Sequence, residues 1–231
     1  MTNFSLIPDI ERENLKQQIK LLETDLNNLT NQKADLEKLI HEFSVRHNIE
    51  LGELLVKILE YRKIKAKGTE LEANTEEDYN TYNKQFEALR EEHITQLTDD
   101  EQKELKEKYR KASKMCHPDV VSEEQKELAT KIFAELSSAY EKSDLNKIRE
   151  ILNNLENGNF FLSKSDTINQ KRLFEIEIEK LKIKISELNA EIEEIKNSET
   201  YKTIEQIDSW DTYFMNAKNN LKTQLNKLKN E

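Results

Sequence analysis

Residues 116–119 bring together the most reactive side chains of the sequence, namely a thiol, an imidazole and a carboxylate, with a proline before the carboxylate. Cys116 beside His117 suggests a nucleophile and its base, but adjacent residues at a helix end point apart and no third side chain orients the histidine. Pro118 cannot continue a helix and pushes His117 out of the helical region. We therefore predict an exposed loop on which His117 and Asp119 make polar contacts with a partner.

Basic residues precede this tripeptide at steps of three and four. They are Lys103, Lys106, Arg110 and Lys114, with Lys111 alongside. On a helix this spacing forms one face, opposite Leu105 and Tyr109. The chain has 36 Lys and Arg against 46 Asp and Glu, so this basic stripe is a local field suited to docking an acidic surface. The alternative is a solvated face stabilised by pairs four residues apart, such as Glu104 and Lys108.

Several classes of function are disfavoured. The formal net charge of -10 argues against a general nucleic-acid binder, because such binding depends on cations that neutralise phosphates. No run of 18 apolar residues and no signal peptide is found, so we expect no membrane span and a cytoplasmic protein. Cys116 is the only cysteine, and His41 and His47 have no partners at metal-ligand spacing. Neither a metal site nor a cofactor is predicted.

The composition favours long helices. Only 3 Gly and 2 Pro occur in 231 residues, which makes most β-rich folds improbable, since these residues form tight turns. Charged and hydrophobic residues each make up 35%, so the core is thin for the length of the chain. We predict an all-α protein in which long coiled-coil helices flank a small helical domain.

Apolar spacing divides the chain into four segments. A heptad seam runs from Leu15 to Phe43 with one charged member, Lys33, and continues to Tyr61 after a shift in spacing. The predicted segments are an N-terminal coiled coil (9–67), a linker (68–77), a central helical domain (78–157) and a C-terminal helical hairpin or coiled coil (166–231). The two coils either pack on each other within the chain or pair between chains, and the long regular seam slightly favours a homodimer.

The central segment resembles the J-domain family, the co-chaperones of DnaK-type heat-shock ATPases. Its members carry a helix reading roughly Tyr-Arg-Lys-Leu-Ala before His-Pro-Asp, and Tyr109-Arg110-Lys111 stands at the matching distance from His117-Pro118-Asp119. The family pattern of the next helix is met position by position. The core positions of the two helices are then Leu105, Tyr109, Ala112, Phe133, Leu136, Ala139 and Tyr140.

The resemblance implies a function without a covalent step. The basic stripe would lie against the ATPase domain, while His117 and Asp119 would engage the junction with its interdomain linker and promote ATP hydrolysis by the partner. The coils would supply dimerisation or target binding, with a client that the sequence does not identify. The alternative is a coiled-coil scaffold whose J-like domain no longer stimulates a chaperone.

The sequence also departs from the family. Nothing of the form Tyr-Tyr-x-x-Leu-Gly, with which the first helix of the family usually opens, precedes Thr98, and Val120 follows the tripeptide in place of a lysine. No Gly/Phe-rich linker and no Cys-x-x-Cys repeat is present. We therefore expect a specialised member whose J-domain is held at a definite angle to its flanking rods.

Overall fold

A computed structural model describes residues 9–90, 97–157, 161 and 171–230. These residues form helices without a strand, which confirms the predicted all-α class. No helix within the described ranges is long and apolar enough to span a membrane. A short 3-10 turn covers Glu123–Gln125, and the α-helices are α1 (Asp9–Ala66), α2 (Glu72–Arg90), α3 (Asp99–Cys116), α4 (Lys126–Glu141), α5 (Leu145–Asn157), α6 (Lys171–Asn197), α7 (Glu199–Glu205) and α8 (Trp210–Asn230).

The chain divides into two compact units, and the division falls inside α1. Among the described residues, the first unit contains 9–38, 97–157, 161 and 171–198, and the second contains 39–90 and 199–230. Each unit therefore combines a part of the predicted N-terminal coiled coil with a part of the predicted C-terminal segment. The predicted start of that C-terminal segment, residue 166, lies outside the described residues.

In the first unit, the heptad seam of α1 packs on α6. Ile19 and Leu26 are buried with Phe174, Ile178 and Leu181. The charged seam member is also paired, because Lys33 Nζ lies 2.7 Å from Glu191 Oε2 on α6. The seam of α1 thus packs on α6 of the same chain.

In the second unit, the later part of α1 packs on the last helices. Phe43 and Leu51 share a core with Phe214 of α8, and the Phe43 ring lies edge-on to Trp210 with centroids 5.4 Å apart. Arg46 lies over the Phe214 ring, with its guanidinium carbon 4.9 Å from the centroid. The stripe of α6 is therefore buried on α1 in the first unit, and the stripe of α8 is buried on α1 in the second. Because α1 has 58 residues, it offers a separate apolar length to each of them.

Helix α2 changes two predicted boundaries. It begins at Glu72, inside the predicted linker 68–77, where an acidic residue in the first turn suits the helix dipole. It also belongs to the second unit, although its later residues were assigned to the central domain 78–157. Its position follows from a close approach, because a Cβ atom built on Gly52 of α1 would lie 2.4 Å from Phe86 Cε2.

We expect Gly52→Ala to destabilise the second unit. Alanine is favoured over glycine inside a helix by about 1 kcal/mol, so the change would stabilise α1 if the space were open. Here the added methyl group overlaps the Phe86 ring and lies 3.0 Å from Asn48 Oδ1, so the Phe86 ring or α2 must shift. Urea denaturation should therefore show a lower free energy of unfolding. Glu53→Ala, at the neighbouring exposed position, should change it by less than about 0.5 kcal/mol, and a stabilised Gly52→Ala variant would contradict the close packing.

Candidate functional site

Helices α3, α4 and α5 form a three-helix core within the first unit. The side chains of six of the seven predicted core positions are buried, and Phe133 is half-buried and packs against the others. Tyr109 of α3 stacks on Tyr140 of α4, with ring centroids 4.0 Å apart and an interplanar angle of 20°. Helix α5 completes the core with five buried apolar side chains: Leu145, Ile148, Ile151, Leu152 and Leu155. The structure therefore places the seven predicted positions in one core, and α5 forms its third wall.

Local signals set the two ends of α3. Thr98 caps the first turn in a capping box, in which its hydroxyl accepts from the Glu101 N–H and Glu101 accepts from the Thr98 N–H. The helix ends at Cys116, and His117 adopts an extended backbone with φ −64° and ψ 122°. This is the conformation that a following proline favours. The tripeptide thus begins the connection from α3 to α4, as predicted.

His117 itself is not exposed, which corrects the prediction for the loop. Its side chain is only 4% exposed. The imidazole lies edge-on to Phe133, with centroids 5.0 Å apart, and its Nε2 lies 3.1 Å from Thr30 Oγ1 on α1. Pro118 correctly predicted the extended backbone at His117. It gave no information about α1, the distant helix that covers the side chain.

The hydrogen bonds around His117 define its tautomer. The Asp119 N–H donates to Nδ1 at 3.2 Å, so Nδ1 carries no proton and Nε2–H is free to donate to Thr30 Oγ1. Thr30 in turn donates to the Leu26 carbonyl oxygen at 2.9 Å. Burial lowers the pKa of His117 to about 4, while the charge of Asp119 acts in the opposite direction. His117 is therefore a neutral imidazole with both ring nitrogens occupied.

The other residues of the loop lie near α6 and the seam. The Asp119 side chain is 24% exposed, and its Oδ1 lies 3.9 Å from Lys126 Nζ at the start of α4. A cleft of about 200 Å³ separates it from Lys180, Leu181 and Lys184 of α6. Val120 is buried in the apolar cluster that α1 and α6 share. Both sides of the tripeptide therefore lie against helices from outside the three-helix core.

The middle of the basic stripe also lies against α1. Lys106 Nζ is 2.7 Å from Asp35 Oδ2, and Arg110 Nη2 is 3.4 Å from the same oxygen. The second oxygen of Asp35 accepts from the Tyr140 hydroxyl at 2.5 Å. Burial raises the pKa of Tyr140, and its bond to the Asp35 carboxylate acts in the same direction. A single carboxylate thus binds two cations of the predicted docking face.

The remaining predicted cations differ in their surroundings. Lys103 is 74% exposed beside Asp100, and Lys111 pairs with Glu156 of α5. Lys114 lines a cleft of about 450 Å³ between α3 and α1, together with Glu23 and Asn27. The structure therefore places the five predicted cations on one helix but not in one environment, because only the later part of α3 faces α1.

Thr30 and Asp35 are the residues that sequence reasoning missed. Both lie on a second face of α1, beside the apolar seam. The residues of this face recur at helical spacing, and none has a large apolar side chain: Lys20, Glu23, Thr24, Asn27, Thr30, Asn31, Ala34, Asp35 and Lys38. A face of polar and small side chains resembles a solvated surface, so its periodicity gives no signal of burial.

Comparison with known proteins agrees with this geometry. The family model of the DnaJ domain matches residues 94–153. The chain contains a DnaJ domain. The match covers α3, α4 and most of α5, and it includes the tripeptide. No curated protein and no solved structure matches the chain significantly.

Catalytic chemistry finds no support in the DnaJ domain. Burial raises the pKa of the Cys116 thiol to about 12, so the nucleophilic thiolate is disfavoured beside His117. In the ranges that the structure describes, no group of three His, Cys, Asp or Glu side chains could hold a metal ion. The burial of the thiol therefore gives no support to Cys116 and His117 as a nucleophile and its base.

Proposed function

We propose that the protein is a co-chaperone that docks on a DnaK-type heat-shock ATPase and stimulates its ATP hydrolysis. The observation that carries the proposal is the DnaJ domain itself, with His117-Pro118-Asp119 at the end of α3 and the basic stripe on the same helix. Cations along one helix suit an acidic partner surface. His117, Pro118 and Asp119 would engage the partner at its interdomain linker, and Lys103, Lys106, Arg110, Lys111 and Lys114 would dock the helix.

The flanking helices give the proposal its specialised form. The DnaJ domain lies in the same unit as the α1/α6 seam, so we propose that the coils position it and bind a target protein. The seam residues Ile19 and Leu26 are buried inside the chain and therefore offer no surface to a second copy. The ATPase performs the covalent step, and our proposal for this chain is a cytoplasmic, non-enzymatic role without nucleic acid or membrane.

A second candidate is a scaffold whose J-like domain no longer stimulates the ATPase. The burial of His117 favours it, because a covered imidazole cannot contact a partner. The candidates differ in whether α1 can move away from His117. The co-chaperone requires this movement and accelerates ATP hydrolysis by the ATPase, whereas the scaffold does not accelerate it.

The test is single-turnover ATP hydrolysis by the DnaK-type ATPase of the same organism. The full chain should accelerate hydrolysis, and Asp119→Asn should reduce the acceleration by at least about tenfold, because a charged hydrogen bond is worth roughly 1.5–3 kcal/mol. His117→Gln should have a similar effect. Asp25→Asn, which removes a carboxylate from an exposed position of α1, is the matched control and should behave like the unaltered chain.

Circular dichroism should show that each variant keeps the helical content of the unaltered chain. Acceleration that survives Asp119→Asn and His117→Gln would show that the tripeptide is not the point of contact. If a saturating concentration of the folded chain causes no acceleration, and opening of the covered arrangement restores none, the scaffold is the correct function.

A further inference from the structure

We propose that α1 inhibits the DnaJ domain of its own chain by occupying the face that docks the ATPase. The inhibitory element is residues 20–38 of α1, called here the covering segment. This inference rests on the proposed function and adds a closed state, in which the docking face is bound internally, and an open state, in which it is available. The ATPase and the covering segment would compete for the same side chains.

The first argument is steric and concerns His117. Thr30 of the covering segment occupies the Nε2 side of the ring, Phe133 covers one edge, and the Asp119 N–H occupies Nδ1. At 4% exposure, the imidazole has no surface left for a partner. The covering segment must therefore move before His117 can contact another protein.

The second argument is electrostatic and concerns the basic stripe. An acidic partner surface would present carboxylates to Lys106 and Arg110, and Asp35 already does so at 2.7 Å and 3.4 Å. Asp35 thus competes with a partner's carboxylates for Lys106 and Arg110, whose side chains keep 44% and 50% of their surface exposed. Lys103, which lies one turn before this contact, is 74% exposed and stays available for a first encounter.

The third argument concerns the composition of the contact between the covering segment and the DnaJ domain, which allows the two to separate. The covering segment touches the DnaJ domain mainly through polar and small side chains, with Val120 as an apolar exception, and its Leu22 and Leu26 pack with α6. Interfaces of this polar kind are typical of elements that move relative to one another. Asn27 Oδ1 of the covering segment and Ser113 Oγ of α3 are buried without a hydrogen-bond partner among the described residues. Opening would return both atoms to water, which favours the open state.

Ser113 belongs to this contact by its position on α3. Residues 106, 110, 113 and 117 follow one another at helical spacing, so they form a single face. The first two bind Asp35 and the last binds Thr30. The covering segment therefore follows one continuous face of α3 for about three turns and ends at the tripeptide.

The test measures binding of the purified DnaK-type ATPase, loaded with ATP, to the full chain and its variants. Thr30→Val removes the hydroxyl next to His117 with little change of volume. Asp35→Asn removes the charge next to Lys106 and Arg110 but keeps an oxygen that can accept from Tyr140. Because the apparent Kd equals the intrinsic Kd divided by the open fraction, each change should lower the apparent Kd by about fivefold and the pair by about tenfold or more.

Two further measurements separate opening from damage. Hydrogen exchange of the amides at 117–121 should become faster in the double variant, while α5 amides keep their protection, and Asp25→Asn should change neither quantity. Adding Asp119→Asn to the double variant should abolish the gained affinity. If the unaltered chain and the double variant bind equally well, the internal inhibition is wrong and the proposed function stands. If neither binds, the proposed function fails and the inhibition fails with it.

Discussion

The free energy of unfolding should fall by about 3 kcal/mol as the pH drops from above 6.5 to 4, because the folded protein excludes the proton that His117 otherwise takes up. The pKa of an unburied histidine is about 6.5, whereas burial lowers that of His117 to about 4. Between these two values the unfolded chain binds a proton and the folded chain does not. The stabilisation is therefore complete above pH 6.5 and is lost progressively toward pH 4.

The groups that face His117 explain why protonation is unfavourable. A proton on Nδ1 would oppose the Asp119 N–H, which now donates to that nitrogen. Thr30 and Phe133 contribute no charge. Among the residues that the structure describes, the carboxylate that acts on His117 is that of Asp119, which favours the protonated form but is itself close to Lys126. Burial therefore determines the direction of the pKa shift of His117. Protonation would also remove the hydrogen bond that Nδ1 accepts from the Asp119 N–H, which lowers the pKa further.

Nuclear magnetic resonance measures this shift directly, through the pH dependence of the His117 ring signals. The midpoint should lie near pH 4, and a midpoint near 6.5 would show that His117 is exposed. His117→Gln serves as the control in denaturant unfolding, because it should remove most of the pH dependence between 6.5 and 4. The remainder belongs to other groups, including His47, whose pKa burial also lowers.

The same acidification should open the closed state, if the covering segment separates from α3 as we propose. Protonated His117 is then hydrated in the open state and buried in the closed state. Mild acid and the Thr30→Val change should therefore each raise the open fraction, and their combined effect should level off when the open state is fully populated. Faster exchange of the amides at 117–121 as the pH falls would be the first sign.

Local signals in the sequence were sufficient for the elements and for the core of the DnaJ domain. The seam from Leu15 to Phe43 and the capping box at Thr98 depend on residues three or four positions apart, and both are found in the structure. Tyr109 and Tyr140 were predicted as core positions from the family pattern, and they stack. Such features are readable because the periodicity of a helix is itself local.

The environment of the tripeptide was not readable in the same way. His117 and Thr30 are 87 residues apart in the sequence, and Arg110 and Asp35 are 75 apart. Neither pair contains a large apolar residue whose spacing would reveal a buried face. The sequence left the partner of α6 open for a related reason, since short connections favour neighbouring helices as partners, whereas α1 is long enough to pack on α6 and, further along, on α8.

Leu136→Ala should destabilise the DnaJ domain by about 2–5 kcal/mol, the range for removing a fully buried leucine side chain. Leu136 has no exposed surface and lies where α3, α4 and α5 meet. Leu128→Ala is the matched control on the same helix, because that side chain is 50% exposed. It should cost less than about 0.5 kcal/mol. Urea denaturation followed by circular dichroism compares the two, and hydrogen exchange of α5 amides reports locally on the three-helix core.

The same variants distinguish a loss of ATPase stimulation caused by unfolding from one caused by a lost contact with the ATPase. Leu136→Ala leaves His117, Asp119 and the basic stripe unchanged, so acceleration of the ATPase should fall only in proportion to the unfolded fraction and should return on cooling toward the temperature of maximum stability. Asp119→Asn should not recover on cooling, because it removes the contact itself. Equal destabilisation by Leu128→Ala and Leu136→Ala would contradict the three-helix core, since the two positions would then be equally covered.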